Sequence, residues 1–570
     1  MPKTTLQKIE STFKQMEQTF IERNWRITGS DIKDYLVPDR GRFLSGTTAD
    51  ETNKDRKDDR QYIYDDAGEQ ALGVLVSLFM SMLTPQTSPW FIFRSPNPQL
   101  QAVKRVRVWL DEVTDLILSI FGQSNIYGVL HNTYMEFCSF ATGAQLLLED
   151  EVDTIMPMSL TFGEYYITTN AKRKVDSLAR KLYMTAEQMK DQFGEEVLSR
   201  TVKAQLTNKA GSSPKLFLVK HLIEPNDGRS GVSNPQGMPV NSFYWEDQSV
   251  SDTNSNGRSQ LLSIGGFEEM EVMQVPRWNA ISNDSYGKES PGMRKLSDIK
   301  MLQSIVEDLL IASKRVGDPP VVSNNDFNQI NTLPGGVSTV TDAVGGTGGV
   351  TPLFQNYRPD LQALYAIIEK VEGSIERGFY NDLALLVSGA ENDRMTATEV
   401  VARNEEKFAL LGPVLDKLNN ELLKPLIDRT FNILARQGFF EPDGLYPLPE
   451  ELSDVELEVE YTSILAQAQR AVGLNNVDRF IERIGILAQL DPSALDMIDT
   501  DAIVEQYGLN VPAKILREVE EAIQIRQERA EQQQIATQMA AMESGAQVTK
   551  DLAASPVGAG TALDEVEEVL

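Results

Sequence analysis

The chain of 570 residues reads as an α+β protein that is mainly helical. Three observations predict that class. Long stretches carry apolar residues at steps of three and four, which gathers them on one helical face. Shorter stretches alternate apolar with polar residues or bunch β-prone ones, as strands do. An interval rich in Gly, Pro, Thr and Asn separates two of the long helical stretches, which predicts a small β-rich excursion between them.

The length allows several domains and a large core. Lys and Arg number 54 against 83 Asp and Glu, a formal charge of −29. Tight wrapping of nucleic acid depends on Lys and Arg displacing counterions, so that function class is excluded. The acidity either keeps a soluble protein in solution or lines a conduit through which a polyanion slides. The single cysteine, Cys138, excludes an intramolecular disulfide and fits a reducing compartment; within the phrase FCSF it reads as a small buried residue. The N-terminal stretch lacks the apolar segment of a signal peptide. The longest apolar run, Ala71 to Leu83, is too short for a bilayer and predicts a buried helix ending at Thr84-Pro85. No membrane partner is expected.

Residues 1–289 mix helices and strands. Val103, Val106, Leu110, Val113, Ile117 and Ile120 mark an amphipathic helix. Thr185 with Gln188 forms a capping box, each side chain satisfying an unpaired backbone N–H, and the helix it opens should stop near Gly194. Short strands are predicted at Gln145–Leu148, Glu164–Thr168 and Leu216–His221, and Trp90, Trp109 and Trp278 as core anchors. Asp252, Asn254, Asn256 and Gly257 imitate the opening of a calcium loop, but the twelfth position is Ser263, where a bidentate Glu is required. His131 and His221 have no second ligand nearby in sequence. HExxH, GxSxG, Walker A and CxxC patterns are absent. Neither a catalytic group, a cofactor nor a metal site is therefore expected.

At 290–316, Leu296, Ile299, Leu302, Val306, Leu309 and Leu310 predict a long helix opened by Ser290-Pro291 and stopped at Gly317-Asp318-Pro319-Pro320. Residues 317–358 form the β-rich excursion, punctuated by Gly335, Gly336, Gly345, Gly346, Gly348 and Gly349. Strands so short are not expected to pair stably within one chain, so neighbouring copies are expected to complete the sheet. Leu361, Leu364, Ile368, Val371, Ile375 and Phe379 predict a third helical stretch over 359–386. The connection 387–395 contains Ser388, Gly389, Ala390, Glu391, Asn392, Asp393 and Arg394, and by itself suits a plain link between helices.

Residues 396–470 hold a long helix and a strand. Thr396 with Glu399 is a second capping box, and Phe408, Leu411, Leu415, Leu418, Leu422 and Leu426 form its stripe. Gly412-Pro413 and Pro425 remove helical hydrogen bonds, predicting bends. Val455, Leu457, Val459 and Tyr461 alternate with glutamates, giving a half-buried strand expected to return to the first region's sheet. Helices resume over 471–541, and 542–570 carries too little apolar surface to fold alone.

Several phrases, in order, resemble the portal (head-to-tail connector) proteins of short-tailed, T7-like bacteriophages: DDRQYIYDDAGEQAL at 58–72, SPWF at 88–91, Phe140 to Gly143, RKLYMTAEQM at 180–189, PRWN at 276–279, SYGKESPGMRKLSDI at 285–299, DPPVV at 318–322, the long helix after Thr396, and VPAKILREVEEAIQIRQERAEQQQ at 511–534. The resemblance extends over most of the chain. It implies the viral portal fold, a ring of about a dozen subunits around a central channel at one capsid vertex. By position, 1–289 resembles the wing, 290–316 and 359–386 the two stem helices, 317–358 the clip, 387–395 the channel-lining tunnel loop, 396–470 the long helix and returning wing strand, 471–541 the crown and 542–570 a flexible tail. The implied partners are further copies of itself, the terminase large subunit, a tail adaptor docking on the clip glycines, capsid and scaffolding proteins, and double-stranded DNA passing without sequence recognition. The implied location is the virion, after assembly in the host bacterial cytoplasm. The alternative from composition alone is an acidic cytoplasmic enzyme using Glu391 and Asp393.

Overall fold

The computed structural model describes residues 4–41, 43–44, 60, 62–97, 99–100, 103–150, 152–207, 215–247, 259–281, 284–317, 361–383, 411–452, 457–461 and 519–554, with short pieces at 321–323, 333, 336–339, 351–352, 556–557 and 560–561. Two compact units divide the chain. One comprises Met1–Ile92, Thr114–Pro447 and Val459–Ala471; the other comprises Phe93–Val113, Leu448–Glu458 and Val472–Leu570.

The first unit opens with α1 (Thr5–Glu22), capped by a Thr4–Gln7 box. Its Ile9, Phe13, Met16 and Phe20 are buried, at the spacing that turns one face inward. Helix α2 (Trp25–Tyr35) follows, then α3 (Ala67–Leu83), whose run ends at Thr84 as expected. Strand β1 (Phe91–Arg94) and α4 (Lys104–Gln123), the amphipathic helix foreseen, each have residues in both units; α5 (Ile126–Phe140), in which Cys138 is buried, lies in the first. All three tryptophans expected in the core are buried. Trp90 stacks on Phe121, centroids 6.0 Å apart, and Trp278 lies 5.0 Å from Phe137.

Strands β2 (Ala144–Asp150) and β3 (Thr154–Leu160) form a hairpin, and β4 (Tyr165–Thr169) and β5 (Val175–Thr185) a second. Thr185 then caps α6 (Ala186–Phe193) with both hydrogen bonds of the box, and the helix stops at Gly194. The backbone there has φ +80°, which favours glycine. After α7 (Arg200–Thr207) come β6 (Leu216–Pro225), β7 (Val240–Glu246) and β8 (Gln260–Phe267). An antiparallel sheet runs β4-β5-β6-β7-β8. The strands predicted at 145–148 and 216–221 are longer than expected, and the one predicted at 164–168 lies at Tyr165–Thr169. One face packs on α1, where Phe13 lies 5.4 Å from Trp245 and 5.7 Å from Tyr166. On the other, Met184, Phe217, Val219 and Tyr244 meet Met189, Leu198 and Val202 of α6 and its neighbours. A three-stranded sheet, β3-β2-β9, uses β9 (Met273–Gln274).

Helix α8 (Pro291–Gly317) stops where the glycine-proline signal placed its end. Beyond it, β10 (Val321–Ser323) pairs in parallel with β11 (Val337–Thr339) and antiparallel with β12 (Thr351–Pro352). Three pieces of one chain thus pair with each other, which strands so short were not expected to do, and β11 and β12 are the edges of the sheet they form. Helix α9 (Leu361–Gly378) is interrupted within the predicted 359–386, and residues 381–383 are helical again. Phe379 and Tyr380 form a turn, and Tyr380 takes φ +59°, a left-handed conformation that no helix continues through.

Residues 411–418 are helical and lead through a π turn, Asn419–Leu423, into α10 (Lys424–Arg436). Lys424 N donates to Asn419 O, five residues back. Pro425 has no N–H and its ring crowds the carbonyl four residues earlier; the wider turn lies immediately ahead of it. Gly412 and Pro413 sit in the first described turn. The returning strand, β13 (Glu458–Tyr461), pairs with β1 of the 1–289 region, in a two-stranded sheet separate from the five-stranded one.

In the second unit, α11 (Val519–Ala554) carries helical structure past 542, where the tail was expected to begin. Its described side chains, 523–540 and 542, are exposed apart from the half-buried Ile525.

Candidate functional site

The predicted tunnel-loop residues Ser388 to Arg394 lie outside the described residues, as do Gly335, Gly345, Gly346, Gly348, Gly349 and the calcium-like turn. Gly336 is described, its N–H donating to Leu333 O at 2.9 Å. What the structure brings together is the base from which these segments grow: the α8–α9 hairpin and the helix leading into α10.

Helix α8 is rooted at Ser290. Its hydroxyl accepts from Met293 N at 3.2 Å and donates to Ser139 O at 2.9 Å, so one cap also fastens α8 to α5. Gly292 sits against the same residue; a Cβ there would lie 2.7 Å from Ser139 O, too close for any other side chain. One turn further, Ile299 and Leu302 are fully buried. Gln303 is buried too, its amide accepting from Tyr64 N (2.6 Å) and Asp65 N (3.0 Å) and donating to Asp65 O (2.8 Å). Glu307, on the same face, accepts from Tyr64 Oη at 3.1 Å, a bond that raises the tyrosine's pKa first, with burial and the charge itself adding.

Helix α9 runs back along α8 with Ile368, Val371 and Ile375 buried. Between the helices, Lys295 Nζ donates to Asp298 (2.9 Å) and Ser374 Oγ (3.0 Å), and Ser374 Oγ donates to Asp298 (3.1 Å). Burial raises the Glu372 pKa, and Asp65, Glu376 and Glu369 raise it further. Away from this base the hairpin leaves large apolar groups in solvent: Met301, Leu310 (46% exposed), Ile311 and Val316 on α8, Tyr365 (60%) and Ile367 on α9. Isolated exposed apolar residues are ordinary; these six flank the packed inner faces of two paired helices on more than one side.

The helix leading into α10 is anchored by charge. Arg277, of the PRWN phrase, is buried and donates through Nη2 and Nε to Glu421 in the π turn (2.5 and 3.3 Å), while its backbone N donates to the same carboxylate at 2.9 Å. Burial lowers the Lys417 pKa; Glu421 opposes that shift and Arg277 adds to it. Further on, Arg429, 1% exposed, donates to Glu269 (2.6 Å) and Glu149 (3.0 Å), and Arg436 pairs with both carboxylates from the helix edge. Sequence inspection missed Arg429 and Gln303. The available signal was a polar residue inside an apolar stripe, beside Leu426, Ile427 and Ile433 in one case and Ile299 and Leu302 in the other. Its partners are distant in sequence.

Among the described residues no group of three or more His, Cys, Asp or Glu is placed to hold a metal, and no helix is long and apolar enough to cross a membrane. One of the two histidines has a structural role in the core. His221 is buried, stacks on Tyr244 with centroids 3.7 Å apart, and accepts from Arg180 Nε at 3.1 Å. Burial pushes its pKa well down and Arg180 adds to that.

The model of the bacteriophage head to tail connecting protein matches residues 6–516. A probable portal protein of Bordetella phage BPP-1 is 34% identical over 551 residues, covering 95% of this chain and 95% of that protein. A portal protein of Salmonella phage epsilon15 is 32% identical over 556 residues, covering 96% of this chain and 95% of the relative.

Proposed function

The chain belongs to the bacteriophage head-to-tail connecting protein family, whose members are structural and not enzymes, and from that premise we propose that it forms the ring through which DNA enters and leaves the capsid. Copies of the chain, about a dozen, surround a channel at one capsid vertex. Residues 290–316 and 359–386 serve as the stem, 317–358 as the clip that meets the terminase motor and then the tail adaptor, and 387–395 as the loop that narrows the channel. The wing, long helix, crown and tail take the remaining ranges given above, with capsid and scaffolding proteins as assembly partners in the host cytoplasm. The reading of Glu391 and Asp393 as an enzyme's carboxylates is set aside with the family assignment.

The observation that carries the ring is the unpartnered apolar surface of α8 and α9. Leu310, Ile311 and Tyr365 are wet on two helices whose facing sides are packed, and cover by a neighbouring copy would remove them from water. The −29 charge supports a wall that DNA slides past without adhering, because phosphate affinity needs cations. Native mass spectrometry and end-on electron-microscope images test the assembly: a species of about a dozen subunits with a central hole is expected, and a strict monomer at every concentration would refute it. Lengthening residues 388–393 should block DNA passage while leaving the ring intact; normal packaging through such a ring would refute the loop's role.

A further inference from the structure

A cavity of about 200 Å3 opens between α1, the end of β4 and the β6–β7 connection. Arg229, Gln15, Thr12, Thr19, Thr169 and Ser285 are among its lining residues. The guanidinium is pre-positioned. Nη1 donates to Thr168 Oγ1, to Ser177 Oγ at 3.1 Å and to Asp176 Oδ1 at 3.4 Å, and Nη2 donates to Thr169 O at 3.1 Å. None of these bonds uses Nε–H. Beside Ser285, Asp284 pairs with both Arg23 and Lys288. Arg229, Arg23 and Lys288 thus gather around Asp176, Asp284 and Glu224, the last also held by Arg229.

The hydroxyls sharpen the chemistry. Thr12 and Thr19 donate to the carbonyls of Lys8 (3.3 Å) and Gln15 (2.9 Å) in their own helix, so toward the cavity they offer lone pairs. A ligand suited to this lining accepts hydrogen bonds from Arg229 and also donates to threonine oxygens. Sulfate and a DNA phosphodiester accept only. A phosphate monoester or inorganic phosphate carries a proton near neutral pH and does both. We infer that the cavity binds phosphate in its protonated, non-diester form, with Arg229 as its charge partner and Thr12 and Thr19 as acceptors of its P–O–H. Bound there, the ion ties α1 to the β4–β5 hairpin.

The test uses the full-length protein, equilibrium dialysis against radiolabelled inorganic phosphate, and thermal unfolding with and without phosphate. One saturable phosphate per chain is expected, with a raised unfolding temperature. Arg229→Gln should weaken binding at least tenfold. Gln15→Glu, which adds a negative charge at an exposed lining position without touching Arg229, should do the same while leaving the circular-dichroism spectrum unchanged. Sulfate should compete at least fivefold less well than phosphate, and duplex DNA of equal phosphate content should not compete. Absence of saturable binding, or retention of full affinity in Gln15→Glu, would overturn the site. Equal competition by sulfate or by duplex would overturn the requirement for a ligand-borne proton.

Discussion

The body around the five-stranded sheet and the α8–α9 hairpin treat apolar residues in opposite ways. In the body, Phe13, Phe137, Trp245 and their neighbours are almost wholly buried by the same chain, and aromatic rings meet edge to face or stacked. In the hairpin only the inner stripe is covered, and the outer apolar side chains meet water. The body's aromatic core is closed within the chain despite exposed single residues such as Ile27 and Val152, whereas each hairpin helix packs its inner side alone. Burying a Leu or Ile side chain is worth roughly 1.5–3 kcal/mol, so the hairpin holds its unrealised stability in reserve for association.

That contrast is broken most directly by Leu310→Ser with Ile311→Ser. Each lost side chain weakens every subunit contact by about tenfold or more, so the ring should fall apart in native mass spectrometry while the lone chain unfolds at nearly its original denaturant midpoint. A rise in ring stability, or a collapse of the monomer, would place those residues inside the fold. Next in size is Arg429→Met. It removes the enclosed partner of Glu269 and Glu149, which are partly exposed and keep Arg436, so the loss of the charged hydrogen bonds should cost about 1.5–3 kcal/mol. The same change at Lys424, whose bond to Asp428 is 2.8 Å but solvent-exposed, should cost no more than about 0.5 kcal/mol. Denaturant titration of the two variants measures the difference between an enclosed charge and a surface one.

The pH dependence gives a smaller effect. His221 is held neutral in the folded chain, with its pKa below the ordinary value, whereas the unfolded chain protonates near pH 6.5. Its contribution is fully present above about pH 6.5 and is lost as acidification lets only the unfolded state take up the proton, by up to about 1.4 kcal/mol per pH unit. Comparing unfolding free energies of the parent and His221→Gln between pH 7.5 and 5.5 cancels the carboxylates common to both; the variant's curve should be flatter. Smallest is Thr185→Ala, which removes one acceptor of the capping box and should cost about 1 kcal/mol. That loss should leave the ring's subunit count untouched.

The helices were legible because their signals are local. The Thr185–Gln188 box, the Ser290-Pro291 start and the Gly317-Pro319 stop each act within a turn or two, and the structure places helix ends at all three. The strands were legible as segments but not as a sheet, since nothing in Leu216–Pro225 names β5 and β7 as its neighbours. The end of α9 was overrun because Phe379 and Leu383 extend its apolar rhythm; Gly378, a common helix terminator, was the warning. Of the candidate site, the inner stripe of each helix was visible, whereas the exposed apolar residues, Leu310 apart, and the bonds fastening the helices were not. Arg277 reaches Glu421, and Gln303 reaches Asp65, across spans that no periodicity encodes.

Gln303 has a mechanical corollary. By accepting from two successive backbone N–H groups and donating to a carbonyl of the same segment, one amide side chain imitates a rung of a ladder, and Glu307 grips the adjacent phenol. Helix α8 is therefore keyed to residues 64–65 like a shaft in a slot: it can flex along its free length, but twisting about its own axis must shear several bonds at once. Torque applied at the far tip would be delivered to the start of α3 and not dissipated in the rod.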